Sequence, residues 1–441
     1  MFAPSRTAIH RKRLAQGRST VVSVVDIGST KVCCVIARLT PNMSARELSS
    51  RSHSVEILGF GHQRSSGIKS GVVVGMVEAE KALRLAVDRA EHAAGLTVDS
   101  LIMSVTSGRL ASDTFSSSVL IADREVSQGD IDAAMSAGVD HLNSDERTIL
   151  HALPIGYSLD GSNGIEDPIS MAGRELGVDM HMISADSAPL LNLENCINRS
   201  HLFVEAMVAS PYASGLSTLV ADETRIGCAC IDMGGGTTTV SIFLGGHVVH
   251  VDAIAVGGRH VTRDIARVFS TSEAEAERIK VLHGTAMPQE ASLTDVIHIP
   301  PIDADEERVI SQISPSQLGH VIRPRIEETL EMVRDRINAS GFAAAAGNRI
   351  VLTGGASQLA GVADVAQQVL DSNVRLGRPM GVSGLPRTAK GPAFATVAGL
   401  LVYPQHAAHE YEHRGGFASG LLAAAGSGSL ARMGRWLKQN F

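Results

Sequence analysis

One six-residue pattern occurs twice in this chain and constrains its fold more than any other feature. Residues 25–30 (VDIGST) and residues 231–236 (IDMGGG) share the order apolar, Asp, apolar, Gly, small, small. Each copy lies between two runs rich in apolar and β-branched residues, which predicts a strand, a tight glycine turn and a second strand. A repeat at such a long spacing predicts two similar domains that face one another.

The two glycine turns are candidate phosphate-binding sites. A glycine turn leaves backbone N–H groups unpaired and lets an anion approach closely, so two facing turns could hold a polyphosphate between them. The candidate phosphate ligands are Gly28, Ser29, Thr30, Lys31, Gly234, Gly235, Gly236 and Thr237. For either turn alone, a plain hairpin turn is the alternative, because glycine signatures also occur without a ligand.

Each copy of the pattern places a carboxylate, Asp26 or Asp232, at the edge of an apolar strand. A carboxylate in such surroundings is costly unless it is paired or binds a metal. Mg²⁺ prefers oxygen ligands and gives up its water reluctantly. The sequence therefore predicts that Asp26 and Asp232 hold Mg²⁺, through its water molecules.

A third glycine motif follows a buried apolar run at residues 350–361 (IVLTGGASQLAG). A strand that ends in a glycine pair and opens a helix lets the backbone approach a base and a sugar without a clash from Cβ. Many strand-to-helix turns carry glycines, so the motif alone is weak. Behind two candidate phosphate turns it favours a nucleotide, with Gly354, Gly355 and Gln358 as candidate ligands.

Composition excludes several classes of function. The net charge of −7 and the aromatic content of 3% argue against binding of nucleic acid by charge or by base stacking. Five cysteines without a Cys-x-x-Cys pair fit neither a zinc site nor a disulfide framework, which favours a reducing cytosol. No long apolar stretch follows the basic N-terminus, so we expect neither a signal peptide nor a spanning helix.

The last twelve residues, 430–441, form an amphipathic pattern after a Gly/Ser/Ala-rich linker. On a helical wheel the apolar side chains share one face, and the basic residues occupy the opposite face. Such a helix fits the surface of an anionic membrane, with a helix docked on the protein itself as the alternative. The candidate membrane-binding residues are Leu430, Arg432, Met433, Arg435, Trp436, Leu437, Lys438 and Phe441.

Together the three glycine motifs resemble the two phosphate motifs and the adenosine motif of the actin-like ATPase superfamily. Within it, the chain resembles the FtsA family of cell-division proteins over residues 20–402, and again at the C-terminal tip. A small subdomain between the two parts of the first lobe lies where that family carries its insert. The resemblance implies an α/β fold: two actin-like ATPase lobes (duplicated ribonuclease-H-like domains), an inserted small α/β subdomain and a C-terminal amphipathic helix.

The resemblance also implies a division of the chain into domains. A basic N-terminal extension, to which no role is assigned, and a flexible linker flank the folded part. The expected boundaries are 1–19 for the extension, 20–108 and 186–226 for the first lobe, 109–185 for the insert, 227–265 and 345–403 for the second lobe core, 266–344 for a helix-rich subdomain of the second lobe, 404–429 for the linker and 430–441 for the terminal helix.

Further residues take roles by resemblance. Glu277 and Lys280 match positions that hold the adenosine ribose in relatives, and the alternative is a solvated ion pair on a helix face. Relatives that hydrolyse ATP place a Glu or Gln where this chain has residues 209–214 (ASPYAS), which contain neither. Serine is a poor general base, so we expect binding of ATP and Mg²⁺ with weak or very slow hydrolysis. Glu205 remains an open alternative for the water-orienting role.

Resemblance to the FtsA family implies a filament-forming adaptor that tethers polymers of the tubulin-like protein FtsZ to the cytoplasmic face of the inner membrane at the septum. The expected partners are the FtsZ C-terminal peptide, further copies of the chain, anionic lipid and later division proteins. The peptide would bind the helix-rich subdomain near Arg323, Arg325 and Arg334, for which a solvated helix face is the alternative. A pilus-assembly type of actin-like adaptor and a small-molecule kinase remain alternative functions.

Overall fold

The computed structural model describes residue 14 and residues 18–42, 51–106, 108–139, 146–288, 296–301, 311–407 and 410–411. Most of the expected N-terminal extension and linker, and the whole expected terminal helix, lie outside these residues. Across the described ranges, no helix is both long enough and apolar enough to cross a membrane.

The first half of the chain contains most of one lobe and the insert. Its elements are β1 (Thr20–Ile27), β2 (Lys31–Pro41), β3 (His53–Arg64), β4 (Ile68–Lys69), β5 (Val72–Val73), α1 (Met76–Ala94), β6 (Ser100–Val105), β7 (Ala111–Glu125), α2 (Gln128–Val139), β8 (Arg147–Leu159), β9 (Ser162–Ile165), β10 (Ala172–Asp186), α3 (Ser187–Asn198), β11 (Phe203–Ala209), α4 (Ser210–Thr218) and α5 (Ala221–Ile226).

The second half contains the other lobe and a return to the first. Its elements are β12 (Cys228–Met233), β13 (Thr238–Leu244), β14 (His247–Ile254), α6 (Gly258–Val268), α7 (Glu273–His283), β15 (Ile297–Ile299), β16 (Ser311–Ile313), α8 (Pro315–Ala339), α9 (Ala343–Ala346), β17 (Arg349–Thr353), α10 (Val362–Leu370), β18 (Asn373–Leu376), β19 (Val382–Ser383) and α11 (Ala395–Val402), with 3₁₀ turns at Ala356–Gln358, Arg387–Ala389, Pro392–Phe394 and Tyr403–Gln405.

The two large sheets repeat one topology. The first lobe has the strand order β11-β6-β1-β2-β3-β19, and the second lobe has β18-β17-β12-β13-β14. In each lobe the first three strands form an antiparallel meander, and the fourth strand lies parallel to the first. The duplication that the repeated pattern predicts is therefore present, with each copy of the pattern at the end of its lobe's first strand.

The insert is a separate four-stranded sheet, in the order β7-β10-β8-β9, with its own apolar core. It contacts both lobes through buried histidines. His151 on β8 accepts a hydrogen bond from the N–H of Ala209 in the first lobe (3.0 Å). His181 on β10 lies with Nδ1 2.8 Å from the carbonyl oxygen of Val248 in the second lobe. The insert thus bridges the two lobes.

Two buried helices cross between the lobes. Helix α4 follows the last main strand of the first lobe but packs on β12, β13 and β14 of the second. Helix α11 follows the second lobe but packs on α4 and on β1, β2 and β6 of the first. Each lobe therefore contributes a helix to its partner's core, which joins them at the base of the cleft.

Helix ends follow local chemistry. The N-terminus of α8 is closed by a capping box, in which the N–H of Gln317 donates to Ser314 Oγ (3.2 Å) and the N–H of Ser314 donates to Gln317 Oε1 (2.8 Å). Pro315 occupies the first turn, where a missing N–H costs nothing. The apolar spacing over residues 318–339 predicts a helix that starts at Leu318. In the structure this helix begins three residues earlier, at Pro315. Gly95, at φ 64°, ends α1, because glycine adopts this left-handed conformation without strain.

Candidate functional site

Two glycine turns face each other across the cleft. The first turn, residues 28–31, joins β1 to β2, and the second turn, residues 234–237, joins β12 to β13. The same hydrogen bond closes both: the N–H of Gly28 donates to the carbonyl of Lys31, and the N–H of Gly234 donates to that of Thr237, each at 2.9 Å. The equivalent turns of the two lobes thus have the same local geometry.

The two turns are in contact. A Cβ added at Gly235 would lie 2.2 Å from Thr30 Cγ2, and one added at Gly236 would lie 2.4 Å from Ser29 Oγ. Both distances are far shorter than a van der Waals contact, so only glycine fits at these positions. The backbone of the second turn therefore rests directly on the side chains of the first.

Asp26 is held at the end of β1 by two groups. The hydroxyl of Ser104, on the neighbouring parallel strand β6, donates to Asp26 Oδ1 (2.8 Å). Lys31 Nζ lies 3.9 Å from Asp26 Oδ2. Lys31 also donates to the carbonyl of Ala393 and sits 4.8 Å from the centre of the Phe394 ring. The cation of the first turn is thereby fixed close to the carboxylate.

Asp232 has the same place in the second lobe and different partners. Its carboxylate accepts hydrogen bonds from Ser214 on α4 and from Thr396 on α11, the latter at 3.0 Å. Burial raises the pKa of Asp232 above its ordinary value, because removal from water penalises the charged form. The two crossing helices therefore each contribute one hydroxyl to this carboxylate.

The residues present fit a magnesium-bound polyphosphate. Both carboxylates offer hard oxygen ligands at the ends of the turns, and the glycines leave the backbone open where a Cβ would block it. Thr239 Oγ1, directly across the ladder from Asp232, is buried and has no hydrogen-bond partner among the described residues. In the described part of the chain, no group of three or more His, Cys, Asp or Glu residues could hold a metal ion by itself.

The third glycine motif joins the second turn. Gly354 has φ +90°, and a Cβ there would lie 2.3 Å from Asp232 Oδ1. Beside it, the N–H of Gly258 at the start of α6 donates to the carbonyl of Gly234 (2.9 Å). A Cβ at Gly258 would lie 3.1 Å from Ala356 Cβ. The structure therefore brings together the second turn, residues 354–356 and the start of α6.

Glu277 and Lys280 of α7 lie beside the start of α6. Lys280 Nζ donates to Glu277 Oε2 (2.7 Å), to Thr262 Oγ1 (2.8 Å) and to the carbonyl of Gly258 (3.1 Å). Thr262 Oγ1 also contacts Glu277 Oε2. The pair is the i, i+3 ion pair that the sequence allows, but it is tied to α6 beside the second turn. Its role toward a ribose stays a prediction.

Gln358 closes the far side of the third motif. Its Nε2 donates to the carbonyl of Gly355 (3.4 Å), and its Oε1 lies 3.1 Å from where a Cβ on Gly391 would be. Gly355 itself has open space, since an added Cβ would meet only Ala393 Cβ at 3.8 Å. Both residues therefore border the same part of the cleft.

The cleft end of β11 presents hydroxyls. Ser210 Oγ is hydrogen bonded to Thr106 Oγ1, and Ser214 donates to Asp232. Glu205 is bound elsewhere, where it accepts from Ser100 Oγ at 3.2 Å. Ser100 is the first residue of β6 and Ser104 the last but one, about 13 Å away along the strand. Glu205 therefore lies away from Asp26.

The arginines expected at a peptide site are paired with acidic groups on or next to α8. Arg323 Nε lies 2.8 Å from Glu327, Arg325 Nε lies 2.6 Å from Asp264, and Arg334 Nε lies 3.5 Å from Asp335. The structure does not bring them to the glycine turns. The residues expected at a membrane, Leu430 to Phe441, lie outside the described residues.

Sequence reasoning missed the hydroxyls that surround the two carboxylates. Ser104, Ser214 and Thr396 stand 78, 18 and 164 residues from the aspartates that they contact. One signal was available for Ser104, which is the polar residue in the apolar run 101–105. In the structure this run lies in β6, parallel to β1. Thr396 also stood out as a polar residue at the start of an apolar helix.

Comparison with known proteins bears on the family of this chain. Residues 229–399 match the family model for cell division protein FtsA, and residues 107–184 match that for the SHS2 domain inserted in FtsA. The chain is 53% identical to cell division protein FtsA of Agrobacterium fabrum, with 100% of this chain and 99% of that protein covered. It is 29% identical to that of Escherichia coli K12, with 97% and 99% covered.

Solved structures show the same fold at low sequence identity. A chain of a PilM–PilN type IV pilus biogenesis complex superposes with a TM-score of 0.60, at 15% identity, over 87% of this chain and 98% of its own. MreB5 of Spiroplasma citri bound to ADP superposes with a TM-score of 0.51, at 12% identity, over 88% and 97%. The actin-like two-lobe fold with an inserted subdomain is confirmed, and the chain belongs to the FtsA family of cell-division proteins.

Proposed function

We propose that this chain binds MgATP between its two lobes, polymerises, and tethers FtsZ filaments to the cytoplasmic face of the inner membrane at the septum. The observation that carries the proposal is the contact of two equivalent glycine turns, each next to a carboxylate, in a chain of the FtsA family. A polyphosphate between those turns would contact both lobes at once.

The proposal assigns a role in nucleotide binding to the residues at the two turns and the third glycine motif. The N–H groups of both turns and Lys31 bind phosphate oxygens. Asp26 and Asp232 hold water molecules of Mg²⁺, which when bound would neutralise phosphate charge. Gly354, Gly355 and Gln358 would border the base, and Glu277 and Lys280 would hold the ribose. The unpaired hydroxyl of Thr239 supplies a further donor beside Asp232.

Hydrolysis is expected to be weak or very slow. The groups described at the end of β11 are serine hydroxyls, and Glu205 is hydrogen bonded at the opposite end of β6. A hydroxyl can orient water but is a poor general base near neutral pH. ATP would then act chiefly as a bridge between lobes, and it can favour the polymer-forming state only through its higher affinity for that state.

Membrane tethering is assigned to the terminal helix 430–441. A helix of this length is marginal in water, so it should fold on the bilayer. One such helix binds weakly, whereas a filament that carries many binds tightly through effective concentration. The FtsZ peptide is assigned to the region of α8. There Arg323, Arg325 and Arg334 would have to exchange their present acidic partners for the peptide.

Membership of the FtsA family argues against the two alternative functions. The likeness to a pilus-assembly complex is at 15% identity and concerns the fold alone. A small-molecule kinase would need a carboxylate base beside a hydroxylated substrate. In this proposal Asp26 and Asp232 serve Mg²⁺ at the turns and are not assigned to a hydroxylated substrate.

Co-sedimentation with FtsZ polymers on anionic liposomes tests the tether. The wild-type chain should carry FtsZ polymers to the lipid fraction. Trp436→Glu places a carboxylate on the apolar face and should release the complex from lipid while ATP binding persists. Gln439→Glu adds the same charge to the polar face and is the matched control. If Trp436→Glu bound lipid as well as Gln439→Glu and the wild type do, the helix would not be the anchor.

A further inference from the structure

The short hairpin β4–β5 reaches from the first lobe to both glycine turns. Ser70, at its tip, has φ 46°, an uncommon value for a residue with a side chain. Its hydroxyl donates to the carbonyl of Gly236 in the second turn (3.1 Å). The next N–H, of Gly71, donates to Ser29 Oγ in the first turn (3.3 Å). One hairpin tip thus contacts the turns of both lobes.

A second bridge starts from the opposite lobe. The N–H of Arg259, in the first turn of α6, donates to the carbonyl of Gly235 (2.7 Å). Its guanidinium reaches across the cleft, where Nη1 donates to the carbonyl of Ser29 (3.4 Å). Nη2 lies 3.6 Å from Glu273 of α7, which holds the side chain in this direction. Arg259 therefore connects the second lobe to the first turn.

Both bridges oppose the same movement, the separation of the two glycine turns. Ser70 joins the first lobe to Gly236, and Arg259 joins the second lobe to Ser29, so the turns cannot separate while both bonds persist. Neither side chain needs to touch a ligand between the turns. A nucleotide clasped there could leave only after the turns have moved apart, so these bonds oppose its exit more than its entry into an already open cleft.

We propose that Ser70 and Arg259 form an interlobe latch that limits the rate at which bound nucleotide is released. The proposal rests on the nucleotide-binding function proposed above. Both residues are positioning residues that hold the turns together. Closure of the latch follows nucleotide entry, and its opening precedes nucleotide exit.

The test is a stopped-flow displacement experiment on the full chain, with a fluorescent ATP analogue, Mg²⁺ and excess unlabelled ATP. Ser70→Ala and Arg259→Gln should each speed release about fivefold, the effect of one lost hydrogen bond, with association changed less than about twofold. Matched controls are Ser66→Ala, whose hydroxyl donates to Glu78 within the first lobe, and Arg263→Gln, whose guanidinium pairs with the same Glu273. Both controls should release at the wild-type rate.

A further variant separates the latch from general damage to the fold. Ser70→Gly removes the hydroxyl and relieves the strained backbone, so it should keep or raise the melting temperature while release still accelerates. Release at the wild-type rate in Ser70→Gly and Arg259→Gln would overturn the latch and leave nucleotide binding standing. Failure of the wild-type chain to bind the analogue would overturn the proposed function and the latch with it.

Discussion

Contact between the two glycine turns gives a direct test at Gly235. In Gly235→Ala the new methyl group would lie 2.2 Å from Thr30 Cγ2 and 3.0 Å from Thr30 Oγ1. Ordinary contacts between such atoms are about 3.5–4.0 Å, so the turns must separate by more than about 1 Å. A nucleotide that needs both turns would lose part of its contacts.

The size of the effect follows from the cost of overpacking. An extra methyl group in a closely packed site costs about 1–3 kcal/mol, and an equal loss of coupling corresponds to about 5- to 150-fold weaker binding. Titration calorimetry with MgATP measures this directly. Gly129→Ala is the matched control, because its nearest neighbour would be Ser127 Oγ at 3.6 Å, in the insert.

A second substitution can relieve the clash. Thr30→Ser deletes Cγ2, the atom closest to the added methyl group, and keeps the hydroxyl. In the double variant, binding should recover by about tenfold, whereas Thr30→Ser alone should bind almost as the wild type does. Such non-additivity is the signature of direct contact. Unchanged affinity in Gly235→Ala, or no recovery in the double variant, would refute the contact between the turns.

Two further predictions concern buried histidines of the insert. Burial lowers the pKa of His181 to about 3 from its ordinary 6.5. Below pH 6.5 the unfolded chain therefore gains a proton on this histidine while the folded chain stays neutral. The contribution of His181 to the free energy of unfolding is full above pH 6.5 and falls by about 1.4 kcal/mol per pH unit below it. Urea unfolding at pH 6.5 and 5 should show this loss, reduced in His181→Gln but not in the exposed control His201→Gln, and equal pH slopes in both variants would contradict it. Buried His151 accepts from Ala209 through Nε2 and donates through Nδ1 to Glu410 Oε2 (3.0 Å). Glu410→Ala leaves this donor without an acceptor and should lower the free energy of unfolding by about 1–3 kcal/mol. Glu410→Gln, which keeps an acceptor, should lower it less, and equal losses would argue against the pairing.

The insert contacts explain the acid prediction. The hydroxyl of Ser112 donates to His181 Nε2 (2.6 Å) and accepts from the N–H of Val251 (3.1 Å). His181 Nδ1 donates to the carbonyl of Val248. This chain of hydrogen bonds is complete with a neutral imidazole, whereas a proton on Nε2 would make Ser112 Oγ accept twice and turn its own hydrogen away from His181.

Much of the fold follows from local patterns. The β-branched runs on either side of Asp26 and Asp232 predict both hairpins, and the matching sheet orders confirm the duplication. The apolar run over residues 392–403 predicts one helix. In the structure Pro392–Phe394 is a 3₁₀ turn, and α11 begins only at Ala395. Here the apolar run gives the helix, but the turn before it depends on tertiary packing.

Residues that act across the cleft could not be predicted in the same way. Ser70 stands next to Gly71, and Arg259 follows Gly257 and Gly258. Neither local pattern identifies a partner across the cleft, because Gly236 and Ser29 are 166 and 230 residues away. Nor does an apolar helix specify which sheet it covers: α4 and α11 pack across the lobe boundary. Such contacts are set by the closure of the two lobes.

Calorimetric titration of MgATP tests the central claim, that two equivalent turns and their carboxylates clasp one nucleotide, most directly. The wild-type chain should bind one MgATP per chain. Asp232→Asn keeps an acceptor for Ser214 and Thr396 but removes the charge, and it should abolish measurable binding, as should Asp232→Ala. Asp222→Asn, on an exposed residue of α5, should bind as the wild type does. A wild-type chain that gives no binding heat, or an Asp232→Asn variant that binds MgATP equally well, would contradict the account.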